Sequence, residues 1–479
     1  MNININYHKW DKNSLIKLFK SCGVLDIKEL QFYQPYYSLY FHIHNTKQSH
    51  KKLDLKRRYY LHEILEITNK KYHTSNTFLK CKVFDSLKNI FTIEEIFCKC
   101  IPLLDPLNYI MNNYNNFIYR NSLLPSCYNN NTYEKINNMN NNAYIDSFLS
   151  YICSEITLKQ LNPSFPVFYG SLNGIKSEYN FDITEDYNSL RNESWFHKNT
   201  NKYNFLIDMY VSSDEDDESS DSSSENSSVS NSSCNDDFIM VLKDLPVQLF
   251  FIEKLQGTLE DLLNKVEDLN IDLILSCIFQ ISFALMYMQK HYLFTHNDLH
   301  INNVMFTVTN KTFLYYKFNN IYYRVPTYGY LFKIIDFGRS IFTFHNKLFF
   351  NDTFEKHGEA EGQYTKPFNK LNFQEKEENK IYQNYHFDLC RLAITILDVC
   401  DFNKSINYHT KQYFVDFLYN MTLTKDGNSL YDLDDNFNMY ISISKYAANS
   451  LPKNIIQNII FNSYRIKKKE FPKKSYYSV

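Results

Sequence analysis

Glycine is scarce in this chain: nine residues in 479. Only Gly23 precedes Phe168, so the first third offers no glycine-rich turn through which main-chain amides could close around a phosphate. Charge of either sign in excess is also lacking. The net charge of −2 sets up no global field to recruit nucleic acid or a membrane surface. The ten cysteines include no C-x-x-C pair, which reads as reduced thiols in a cytosol-like compartment. Cys98-x-Cys100 lies in an apolar segment and reads as core. No run of about 18 apolar residues argues for a membrane span. Met1 to Asn6 lacks a basic stretch followed by an apolar one, so no signal peptide is expected.

What the chain has instead is aromatic bulk, 40 Tyr and 39 Phe, alongside many Asn, Lys and Ile. These residues are favoured by A/T-rich codons. The length suits one large two-lobed domain or two ordinary ones.

Residues 1–77 are polar and aromatic and read as an extension packed on the main domain. From 78 the pattern turns strand-like, in three runs at 78–84, 90–93 and 96–101 that suggest a meander. Residues 112–142 read as a long loop. Ala143 to Gln160 has helical spacing through Ile145, Phe148, Leu149, Ile152 and Ile156. Phe165 to Tyr169 reads as a short strand ending at Gly170. Residues 212–237 carry nine acidic residues among serines and almost nothing apolar, so disorder is expected. The segment reads as a solvated insert, with partner docking or phosphorylation as the functional alternative. Strands follow at 238–242 and 247–253, a capped helix start at Thr258, and a long apolar helix over 271–291. A further helix spans 387–399, and a basic tail, read as solvated, covers 466–479. Strands first and helices later predict an α+β fold.

The chemistry concentrates in two segments. His296-Asn297-Asp298-Leu299-His300-Ile301-Asn302-Asn303 has the form H-x-D-L-x-x-x-N, and Asp336-Phe337-Gly338 follows it. Phosphoryl transfer needs a carboxylate to orient an attacking hydroxyl and oxygen ligands for the magnesium that bridges nucleotide phosphates. Asp298 fits the first need, Asn303 and Asp336 the second. With these motifs in this order, the chain resembles the protein-kinase-like superfamily over roughly residues 78–420. The HNDLH loop, the IIDFGR segment and the composition are most similar to divergent kinases of giant DNA viruses.

The resemblance implies a bilobal fold, with a small β-rich lobe over 78–255 and a larger helical lobe over 256–465, and ATP and magnesium between them. It implies that His296 braces the catalytic loop and that Asp388 anchors it from a buried helix. Lys99, closing the apolar run Ile96-Phe97-Cys98-Lys99, corresponds to the lysine that grips the nucleotide. Glu155 is its expected helix partner, with Asp146 as the shorter alternative. Ile252 corresponds to the gatekeeper, and the main chain from Glu253 to Leu255 to the adenine-binding hinge.

Four departures stand out: no glycine loop, Asn297 where an Arg commonly reads activation-loop phosphorylation, His300 where Ser/Thr kinases place Lys, and no A-P-E motif. Asn303 and Asp336 are 33 positions apart (336 minus 303), more than the usual spacing, and Phe313 to Tyr323 resembles an inserted hairpin. The leading expectation is a Ser/Thr-type protein kinase acting on a protein substrate, in the cytoplasm of a host cell or in a virion if viral. No nucleic acid or membrane partner is expected. The alternatives are a pseudokinase scaffold and a small-molecule kinase of the aminoglycoside or choline type.

Overall fold

The computed structural model describes residues 3–41, 50–70, 74–111, 113–114, 122–127, 132–199, 205–211, 236–264, 270–355, 358–364, 383–402, 408–433 and 437–479. The acidic insert lies outside them apart from Asp236 and Asp237. The fold is α+β.

A seven-stranded sheet fills most of the first half. Its strands are β1 (Ile27–Gln31), β2 (Tyr59–Lys70), β3 (Thr77–Asp85), β4 (Ile90–Pro102), β5 (Phe168–Asp182), β6 (Phe205–Val211) and β7 (Asp236–Glu253). The order is β1-β5-β7-β4-β3-β2, with β6 also on β7, and every pairing is antiparallel. Strand periodicity sorts the side chains. Leu79, Cys81, Val83, Ile96, Cys98, Cys100, Leu249 and Phe251 turn to one face, where Trp10, Leu15, Leu18 and Phe32 cover them. Phe97, Lys99, Phe250 and Ile252 turn to the other, against helix α1 (Asn142–Leu158). Each large side chain fully buried in these layers contributes roughly 1.5–3 kcal/mol.

This sheet revises several boundaries. β1 and β2 are integral members, so a division at residue 77 would cut through hydrogen-bonded strands. The runs 90–93 and 96–101 are one strand, because Glu94 and Glu95 sit in its solvent-facing part and do not interrupt the ladder. The runs 238–242 and 247–253 are likewise one strand. β5 does not end at Gly170. Its register shifts there, with φ at +147°, and a Cβ would stand 2.6 Å from the Arg57 guanidinium. Arg57 is buried in a two-bonded pair with Asp54 (2.7 and 2.8 Å) and donates to the Tyr169 carbonyl. Only glycine fits this crowded bulge. Within 112–142, read as loop, a helical turn forms at Glu134–Asn137.

Helix α1 is capped by Asn141, whose side chain accepts the Ala143 amide at 3.1 Å. Helix α2 (Ile271–Tyr292) is capped by Asn270 and ends at Leu293, φ +47°. Among the described residues it alone is long and apolar enough to cross a membrane, and 83% of its apolar window is buried within the chain. It forms the centre of the largest hydrophobic cluster with α1 and with helix α3 (Phe387–Phe402). Strand β8 (Val304–Val308) pairs with β11 (Tyr330–Ile334). Between them β9 (Phe313–Phe318) and β10 (Ile321–Pro326) form the hairpin that accounts for the long spacing from Asn303 to Asp336.

The basic tail is docked on that hairpin. β12 (Arg465–Ile466) pairs with β10 and β13 (Tyr477–Ser478) with β9, while Phe471 packs on Tyr322, with ring centroids 4.9 Å apart. The lysines mask an aromatic anchor, and the tail read as solvated is tied down at both ends.

Candidate active site

Lys99 projects from β4 toward α1 and the segment after β11. Its Nζ lies 2.6 Å from Asp146 Oδ2 and 2.7 Å from Asp336 Oδ1. Burial works against the Lys99 charge, but Asp146 and then Asp336 outweigh it and hold its pKa above the ordinary lysine value. Burial pushes the carboxyl of Asp146 up despite Lys99. Asp336 lies lower than an ordinary carboxyl: burial opposes ionisation there, and Lys99 overrides it. Asp146 is fully enclosed, whereas the Asp336 side chain is 41% exposed, leaving an oxygen-rich surface open to a ligand. Asp146 also accepts the Phe337 amide at 2.9 Å, so α1 fixes both the lysine and the D-F-G turn. Asp336 itself sits at φ +61°, a conformation that non-glycine residues hold only where the surroundings impose it.

Glu155 is not the partner of Lys99. It faces away and pairs with Lys159 at 3.5 Å on its own helix. Asp146 and Glu155 are nine positions apart (155 minus 146). At about 100° per residue they point to opposite sides of α1. The packed side carries the aspartate, and α1 lies close enough for the shorter acid to reach.

The segment after α2 is pinned on both sides. Thr295 and Ile341 exchange main-chain bonds at 3.0 Å. Asp388, buried on α3, accepts the amides of His296 (3.0 Å) and Asn297 (2.9 Å). Burial raises the Asp388 carboxyl, opposed by His296 and these two amides. The His296 ring contacts the Ile335 carbonyl through Nε2 at 2.9 Å. Asn303 donates from Nδ2 to the Asp298 carbonyl at 2.8 Å, which orients the loop between the two residues. His300 turns inward, its Nε2 lying 3.0 Å from Asn303 Nδ2, and burial lowers its pKa.

Asp298 Oδ1 accepts the Tyr440 phenol at 2.9 Å, and Arg339 Nη1 stands 3.7 Å away. Tyr440 comes from helix α4 (Phe437–Tyr446). Neither Tyr440 nor Arg339 was anticipated. Tyr440 lies 142 residues from Asp298 with no motif around it, whereas Arg339 follows D-F-G directly and its position was a usable signal.

Ile252 is buried on the face of β7 that bears Phe250, the residue in register with Lys99. Glu253 is bound into the scaffold: its amide donates to the Val167 carbonyl, and its carboxylate accepts the Val167 amide at 2.7 Å and pairs with Lys333. Leu255 is buried, and its main chain makes no hydrogen bond among the described residues. The β2–β3 connection includes Thr74, Ser75 and Asn76 and no glycine, and Asn76 Oδ1 accepts the Cys100 amide at 2.9 Å. Cys98 and Cys100 are free, buried thiols on the face opposite Lys99. Among the described residues no group of three His, Cys, Asp or Glu is arranged around a metal position.

No protein-family model matches the chain. It is similar to uncharacterized protein 098R of Invertebrate iridescent virus 6, 39% identical over 87 residues. The match covers 17% of this chain and 14% of that protein's length.

Proposed function

We propose that this chain is a divergent protein kinase of bilobal build, transferring the γ-phosphoryl group of ATP to a protein Ser/Thr hydroxyl. The observation that carries the reading is Lys99 bridging Asp146 and Asp336, which are 47 and 237 residues away in sequence. Chain order supports it: lysine strand β4, acid-bearing helix α1, hinge strand β7, then the Asp298 loop and the D-F-G turn. Asp298 accepts the proton of the attacking hydroxyl. Lys99 meets nucleotide phosphate, and the open main chain of Leu255 suits the adenine edge.

The residues present fit magnesium. Asp336 offers a carboxylate and Asn303 an amide oxygen, hard donors in the small number this ion takes when phosphates and water complete its shell. The ion would neutralise phosphate charge during transfer. The cysteines of the described residues form no disulfide, in keeping with a cytoplasmic site of action.

The pseudokinase reading draws on one observation, the glycine-free β2–β3 turn. Thermal unfolding with ATP, with and without magnesium, separates the two. Magnesium-dependent stabilisation of the wild type, lost in Asp336→Asn, supports the active enzyme, and turnover with labelled ATP completes the case. Absence of any nucleotide effect on the wild type would refute it.

A further inference from the structure

Phosphoryl transfer places charge on the oxygens of the moving group. Positive groups aimed at that charge are the main resource a protein has for lowering the barrier. From His296 to Asn303 the catalytic loop contains neither Lys nor Arg. His300, where a cation is usual, is turned against Asn303 and the Asn302 amide. Lys99 is committed at the other end of the site, between Asp146 and Asp336.

One cation does stand at the acceptor end. Arg339 Nη1 is 3.7 Å from Asp298 Oδ1, and the side chain is only 19% exposed. Its placement is built in from several directions. The Asn297 side chain donates to the Arg339 carbonyl at 3.0 Å, tying its main chain to the catalytic loop. The paired bonds of Thr295 and Ile341 hold the same two segments together one step further on. The Tyr440 ring lies 5.6 Å from the guanidinium carbon, and its phenol bonds Asp298. Glu359 takes the second nitrogen, from a side chain that is 66% exposed. An exposed anchor of this kind holds weakly, so the fork can exchange Glu359 for a phosphate, which it matches in geometry. The other nearby guanidinium, Arg391, is buried and donates to the Tyr440 phenol at 3.2 Å.

We propose that Arg339 is a catalytic cation of this site, an arginine supplied within the chain that meets the transferring phosphoryl group beside Asp298. The assignment rests on the phosphotransferase reading above. In the step it assists, the acceptor oxygen forms a bond to the γ-phosphorus and its proton passes to Asp298. The bond from phosphorus to the bridging oxygen breaks, and that electron pair leaves with ADP. Arg339 exchanges no proton and stabilises charge throughout.

The test uses the full chain with Arg339→Ala, Arg339→Gln and Arg339→Lys. Two quantities are read: turnover of ATP onto a generic protein acceptor, and thermal stabilisation by magnesium-ADP with and without aluminium fluoride, a mimic of the moving phosphoryl group. The alanine variant is expected to keep the stabilisation by magnesium-ADP, lose the increment from aluminium fluoride, and lose about 1,000-fold in turnover. Lysine should recover part of both. Should alanine lower the unliganded Tm, Arg339→Gln, which keeps a long donor side chain without the charge, gives the same comparison. Wild-type fluoride-dependent stabilisation with turnover within tenfold in the uncharged variants overturns the assignment while leaving the kinase reading intact. Failure of the wild type to bind magnesium nucleotide removes both.

Discussion

Replacing Asp146 with asparagine tests the core of the site with almost no change of shape. The substitution removes a fully enclosed charge 2.6 Å from Lys99 Nζ and turns an amide toward the ammonium in one rotamer. Breaking a buried ion pair costs about 3–5 kcal/mol when the surviving charge is left alone. Here Lys99 keeps Asp336 at 2.7 Å, and the repulsion between the two carboxylates is relieved, so the loss should fall to about 2 kcal/mol. At about 2–4 °C per kcal/mol for domains of 150–250 residues, and less for longer chains, Tm should drop by about 3–6 °C. Turnover should fall further than stability, by at least about tenfold, because Lys99 then rests wholly on Asp336 and would compete there with the magnesium proposed above. Glu155→Gln is the matched control. Burial already pushes the Glu155 carboxyl up, and an i,i+4 pair is worth about 0.3–0.5 kcal/mol, so Tm should barely move. Thermal unfolding without ligand, followed by magnesium-ATP titration and turnover, reads all three effects. A larger loss in Glu155→Gln, or wild-type behaviour in Asp146→Asn, would refute the assignment of Asp146 as the lysine's partner.

Two further outcomes follow from geometry outside the site. Asp85 accepts Arg58 at 3.1 and 2.9 Å together with the Leu87 and Lys88 amides, and Arg58 first, then these amides, pull its pKa down to about 2. With its folded pKa depressed, the carboxylate stabilises the fold above its unfolded value and stops doing so as pH falls through about 2. Asp85→Asn should therefore lose about 2 kcal/mol at pH 7, with the gap from wild type closing toward pH 2; denaturant unfolding at a series of pH values checks this, and a gap independent of pH would be the wrong result. Phe471→Ala removes the ring that packs on Tyr322 and Tyr476, with centroids 4.9 and 5.0 Å away. It should cost about 1–2 kcal/mol and make residues after 466 more sensitive to limited proteolysis; unchanged cleavage would mean the tail is held some other way.

Much of the site was legible because its chemistry is local. H-x-D-L-x-x-x-N and D-F-G hold their candidate groups within eight and three consecutive residues, respectively. Lys99 was legible as the residue that closes the apolar run Ile96-Phe97-Cys98. Strand limits were less so, since Glu94-Glu95 and Gly170 look like interruptions and are a solvent-facing stretch and a bulge. Composition misled at the tail, where lysines suggested solvent and Phe471 and Tyr477 supplied the docking contacts.

By itself the sequence determined the residue types of the candidate site, their order along the chain, and the α+β character of the fold, because hydrophobic period and motif spacing are properties of neighbouring residues. Which acid meets Lys99 was left to the tertiary structure: Asp146 and Glu155 share one helix on opposite faces, and only packing against the sheet decides which face turns inward. The same holds for Tyr440 at Asp298, whereas Arg339 follows D-F-G directly and only its approach to Asp298 was left to packing. A hydrogen bond spanning 142 residues leaves no local trace, and it exists only because the helices and the segment 296–303 close around one core.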